Sequence, residues 1–109
     1  MTGRRRPMQR IGELIPEAAR RLGLEEELRL SRAIATFDAI VEERVPAASG
    51  SCRLSRIDGF SLVVEADAPI VAQELRLRTS ELLDAFAAAP GGARATDLRV
   101  RVRREGPAV

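Results

Sequence analysis

Six residues near the C-terminus constrain the fold more than any other stretch, because Leu98, Val100 and Val102 alternate strictly with Arg99, Arg101 and Arg103. A period of two is the signature of a β-strand with one buried face, so one side of this strand belongs to a core and the other is a ladder of cations. Like charges at successive same-face positions repel. Such a ladder is easiest to understand if an anion, phosphate being the obvious candidate, lies across it. A plain solvated sheet face, kept soluble by arginine, accounts for one strand about equally well.

The chain has 109 residues, enough for one domain with one core. Its single cysteine, Cys52, excludes an internal disulfide and a cysteine zinc site, which fits a reducing cytoplasm. Alternation turns Cys52 inward, where a buried small hydrophobe is the expected role. No signal peptide or membrane-spanning run is visible. Histidine, lysine, tryptophan and tyrosine are all missing, so all 18 cations are arginines. That removes the usual general base, the Ser/His and Cys/His nucleophile systems, Schiff-base chemistry and the P-loop lysine. Catalysis and a bound cofactor or metal are therefore not expected.

The net charge of +2 is unevenly spread. Residues 1–10 hold Arg4, Arg5, Arg6 and Arg10 and no acid, and residues 99–105 hold Arg99, Arg101, Arg103 and Arg104 against one acid. Basic ends thus flank an acidic middle, which suggests one surface for polyanions and another for a less negative partner.

Residues 1–9 read as a flexible basic arm, 10–104 as a single domain and 105–109 as a frayed tail. Ile11, Leu14, Ile15, Ala18 and Leu22 share a helical face, and Gly23 offers a stop. A second helix starts at Glu25 to Glu27 and carries the stripe Leu30, Ala33, Ile34, Phe37, Ile40, Val41 and Val45 before Pro46. Strands over 51–57 and 61–66 flank Asp58-Gly59, with Phe60 lengthening the turn beyond its minimum and Cys52, Leu54, Leu62 and Val64 facing the core. Pro69 opens a third helix, with Val71, Ala72, Leu75, Leu82, Leu83 and Phe86 inward and a kink expected near Thr79-Ser80. The arginine-laddered strand follows Pro90-Gly91-Gly92.

The order α-α-β-β-α-β predicts an α+β two-layer sandwich, with helices on one face of a three-stranded mixed sheet and the last two strands parallel. Arg53, Ser55, Glu65, Arg99, Arg101 and Arg103 fall on the open face, in a continuous patch only if the first and third strands are neighbours. All-arginine basic segments suit phosphate, which arginine grips bidentately, but do not imply sequence reading. Of the three aromatics, Phe37 and Phe86 lie in core stripes and only Phe60 does not, so base-stacking modes are disfavoured. No Gly-x-x-Gly clamp is present. Glu42 and Glu43, about 100° apart on their helix, do not form a paired acid-base site and read as helix surface and as rim charges of a partner interface.

In its ordered motifs the chain resembles the DciA family of bacterial replicative-helicase operators. The residues that carry the likeness are Ile11-Gly12-Glu13-Leu14-Ile15-Pro16-Glu17, Leu22-Gly23-Leu24, Ile40-Val41 with Glu43-Arg44-Val45, Asp58-Gly59, Ala68-Pro69, Ala72-Gln73-Glu74-Leu75 and Glu81-Leu82-Leu83. The family usually has tryptophan where this chain has Phe37 and glycine where it has Glu43. The resemblance implies a KH-like domain that, without hydrolysing nucleotide, binds the replicative DNA helicase and DNA and assists helicase loading, at the nucleoid in the cytoplasm. On the residues alone, a stand-alone KH-like nucleic-acid binder and a protein-only adaptor remain alternatives. DNA would be held without sequence preference by Arg4, Arg5, Arg6, Arg53, Arg99, Arg101, Arg103 and Arg104, and the helicase by a surface including Glu42 and Glu43.

Overall fold

A computed structural model describes the backbone of residues 2–103 and the side chains of residues 16–103. It is an α+β fold in which three helices lie on one face of a three-stranded mixed sheet. Helix α1 spans Thr2–Arg44 and is followed by a 3-10 turn at Pro46–Ala48. Strands β1 (Cys52–Asp58) and β2 (Ser61–Ala66) form a hairpin, α2 (Pro69–Leu77) and α3 (Thr79–Ala88) make the crossover, and β3 (Asp97–Val102) closes the sheet.

The two N-terminal helices expected from the sequence are one, because α1 runs on through Pro16 and Gly23. Gly23 does not take the positive φ that a glycine stop uses. Strong helix formers on both sides, Ala18 to Leu22 and Leu24 to Leu30, outweigh the ~1 kcal/mol that a helical glycine costs. Residues 2–9, expected as an arm, lie within the bounds of α1; the side chains of Arg4, Arg5 and Arg6 are outside those described. At 1.5 Å per residue the helix accounts for the longest dimension, 64 Å.

From Leu30 onward α1 packs down. Ala33, Phe37, Ile40, Val41 and Val45 are buried, at the spacing their stripe predicts. Phe37 meets Phe86 of α3 edge-on, with ring centroids 6.3 Å apart. Around this pair gather Leu75 and Leu82 from the crossover and Leu54, Leu62, Val64, Leu98 and Val100 from the sheet. The crossover is two helices, with the break at Arg78 (φ −111°, ψ 21°). Thr79 does not cap α3; its hydroxyl donates to the Arg76 carbonyl at 2.8 Å and closes the end of α2.

The strand order is β1-β2-β3, with β1 antiparallel and β3 parallel to β2. Asp58 pairs directly with Ser61, so the hairpin loop is the two-residue minimum, Gly59-Phe60, and not the longer loop that Phe60 suggested. Gly59 takes φ +65° and Phe60 does not take a positive φ, the pattern of a type II′ turn. At the end of α3, a Cβ on Gly92 would collide with the Phe86 carbonyl, so only glycine lets the chain turn back there. The Pro90 carbonyl of this loop accepts the Thr36 hydroxyl at 2.9 Å, which holds the loop on α1.

Phe37 is fully buried. Phe37→Ala is expected to cost about 3 to 5 kcal/mol through lost transfer energy and the cavity opposite Phe86. Urea unfolding monitored by circular dichroism measures it; a midpoint equal to that of the unsubstituted chain would contradict the assigned core.

Candidate nucleic-acid interface

Two local devices aim the charged side chains of the sheet. In β3, Leu98 and Val100 are anchored in the core, and alternation then turns Arg99 and Arg101 outward. The Arg103 N–H donates to the Ala66 carbonyl at 2.6 Å and carries the pairing one residue past Val102. In β1 the register slips between Leu54 and Arg56, leaving Ser55 as a bulge. Past the bulge the alternation is inverted, so Ile57 opposes Leu62 on the core side and Arg56 joins the open face. Strict alternation from Cys52 leaves Arg56 off the open face, so the sequence alone misses it. The available signal was an arginine at an inward position immediately before an apolar Ile57.

Register then orders the open face into rows across the three strands. Nearest the hairpin loop stand Asp58, Ser61 and Asp97; next Arg56, Val63 and Arg99; then Arg53, Glu65 and Arg101. The cations from β1 and β3 are therefore brought onto one face but not side by side, since β2 lies between them. Val63 points away from the core cluster yet is only 2% exposed. Its register neighbours are Arg56 and Arg99, and arginine stems can cover an apolar neighbour while their guanidinium groups stay in water. Arg104 lies outside the described residues.

Carboxylates are interleaved with the cations. Arg99 Nε lies 3.3 Å from Asp97 Oδ2, which also accepts from the Ser61 hydroxyl at 3.3 Å. An Arg101 terminal nitrogen lies 3.6 Å from Glu65 Oε2. For Arg53 and Arg56 no ion pair is seen among the described residues. Pairs this exposed contribute about 0.2 to 1 kcal/mol, so an arriving phosphate can exchange with them at little cost. Both sheet edges are blunted: the bulge distorts β1, and on β3 the Val100 carbonyl accepts an Arg76 guanidinium N–H at 2.7 Å.

The helical side differs in chemistry. Arg78 bridges Glu74 at 3.4 Å and Glu81 at 3.5 Å, and Arg44 reaches Glu81 at 3.4 Å, so one chain of charges links α1, α2 and α3. Glu42 and Glu43 are exposed near the end of α1 and lie outside that chain. The described part of α1 before Leu30 is exposed throughout, including Leu22, Leu24 and Leu28.

Among the described residues no group of three His, Cys, Asp or Glu side chains could hold a metal ion, and no helix is long and apolar enough to cross a membrane. Cys52 is half-buried on the core side of β1. Burial pushes its thiol up to about 11 from 9.0, with the Asp38 and Asp67 carboxylates adding to the effect.

The fold and its face define a class, a small α+β domain with a charge-patterned open sheet on one side and its helices on the other. Comparison with protein families makes the assignment specific. The profile described as "Dna[CI] antecedent, DciA" matches residues 10–100, and the chain belongs to the DciA family. Membership implies a role in DNA replication, in loading the replicative helicase, and an interaction with that helicase. The family is one of helicase-loading accessories and not a known class of enzyme. No curated protein matches the sequence.

At about pH 8 a thiol with its pKa near 11 holds roughly a hundredfold less thiolate than one at 9.0. Iodoacetamide is therefore expected to label Cys52 in the folded protein far more slowly than in urea. Equal rates would contradict the half-buried placement.

Proposed function

We propose that this protein is a non-enzymatic replication accessory with two faces: the helical side engages the replicative helicase, and the open sheet face holds DNA while the helicase is loaded. The observation that carries the reading is the family match across residues 10–100, nearly the whole chain. Charge separation supports the division of labour. Residues 11–98 carry 15 acids and 10 arginines, and the exposed pair Glu42 and Glu43 makes the C-terminal end of α1 poor for DNA and available to protein. On the sheet, Arg53, Arg56, Arg99, Arg101 and Arg103 offer guanidinium groups to phosphate, with the terminal Arg4, Arg5, Arg6 and Arg104 adding charge. No aromatic side chain stands in the rows of that face, so the bases would go unread and binding would be indifferent to sequence. Its place of work would be the nucleoid, in the cytoplasm.

Four to six phosphates engaged in this way give a dependence of log affinity on log salt with a slope of roughly −3 to −5. Replacing Arg99, Arg101 and Arg103 by serine is expected to flatten that slope and weaken DNA binding while leaving helicase binding in place. Unchanged affinity for DNA would rule out the ladder.

The double change Glu42→Arg with Glu43→Arg is expected to do the opposite. It should weaken association with the purified cognate helicase, chiefly through slower encounter, and keep or improve DNA binding. If both variants lose both partners together, or the helicase never binds without DNA, a stand-alone nucleic-acid binder becomes the better reading.

A further inference from the structure

The row of the open face farthest from the hairpin loop holds a carboxylate where a surface built only to grip phosphate would not. Glu65 sits on the central strand, paired in register with Arg53 on one side and Arg101 on the other. Strands lie about 4.8 Å apart, so the two arginine backbones are separated by roughly 10 Å with Glu65 midway. Its Oε2 lies 3.6 Å from Arg101, and its side chain is one third exposed. Any phosphate that reaches either arginine of this row therefore comes within about one strand spacing of a fixed negative charge.

We propose that Glu65 sets how strongly the open face holds a phosphate backbone, competing with phosphate for Arg101 and repelling what approaches Arg53. This rests on the reading of that face as the DNA interface. The same charge also chooses a direction. A backbone laid across the sheet along this row must pass over Glu65. One laid along β3 meets Arg103, Arg101 and Arg99 in turn and keeps Glu65 to its side. It then runs into Asp97, which is held to Arg99 and Ser61. Binding limited in this way is weak and exchangeable, the property a DNA-handling accessory needs if it is to release the strand once the helicase holds it.

Glu65→Gln keeps the size and shape of the side chain and an acceptor for Arg101 while removing the charge. Fluorescence anisotropy of a labelled random-sequence duplex, and of a single strand of the same length, reads the affinity across a salt series. The expected result is about two- to fivefold tighter binding at low salt, with the gain shrinking as salt screens the repulsion. Asp84→Asn, on the exposed surface of α3, changes net charge by the same amount and controls for a global effect; it is expected to leave affinity unchanged.

Glu65→Gln binding no tighter than the unsubstituted chain, or Asp84→Asn gaining as much, overturns the proposal. The variant with Arg99, Arg101 and Arg103 replaced by serine separates the two levels. If it binds DNA as well as the unsubstituted chain, the reading of the face fails and the role of Glu65 with it. If it loses DNA while Glu65→Gln changes nothing, only the role of Glu65 falls.

Discussion

Everything on the open face depends on the register of β3 against β2. Leu98 opposes Leu62 and Val100 opposes Val64, and all four are buried against the helices. A slip of one residue would push Arg99 and Arg101 into the core and put Leu98 and Val100 in water, so the apolar contacts beneath the sheet lock the charges above it. Parallel pairing also demands a crossover, which α2 and α3 supply, and the crossover brings Phe86 to Phe37. One set of contacts thus fixes the core, the sheet and the charge pattern together.

That coupling explains which features could be read from the sequence. The alternation in β3 and the stripe through Phe37 are local patterns whose period reports directly which side is buried; Leu98 and Val100 are buried as the alternation predicts, while Val102, at the end of the strand and expected on the core face, is 41% exposed. Gly23 misled because a glycine at a plausible helix end looks the same as one inside a helix; the surrounding alanine, leucine, glutamate and arginine decide. The bulge at Ser55 inverted the phase of β1 halfway along, so Arg56 was assigned to no face. Strand order was the largest gap. Nothing in the spacing of Arg53, Glu65 and Arg101 along the chain shows that they stand in one row, because pairing between strands distant in sequence is decided by the packing of the whole layer.

The row pattern changes the meaning of the cation ladder. Read along β3 alone, Arg99, Arg101 and Arg103 look like an uninterrupted phosphate track. In the sheet, Asp97 and Glu65 each hold one of those arginines, and Asp58 with Asp97 bounds the cations toward the hairpin loop. Such a face suits loose, sequence-indifferent contact better than tight capture. The helical side ties Arg44 and Arg78 to Glu74 and Glu81 and leaves Glu42 and Glu43 facing solvent at the end of α1.

In the proposed division of surfaces, DNA meets the open sheet face and not the helices. Nuclear magnetic resonance of the isotopically labelled protein titrated with a short duplex tests it most directly, following backbone amides together with the arginine Nε–H signals. Shifts are expected at Arg53, Arg56, Arg99 and Arg101 and along β1 and β3, with the amides of Glu42, Glu43 and Asp84 unmoved. Shifts gathered on α1 and α3 with a silent sheet face would contradict it.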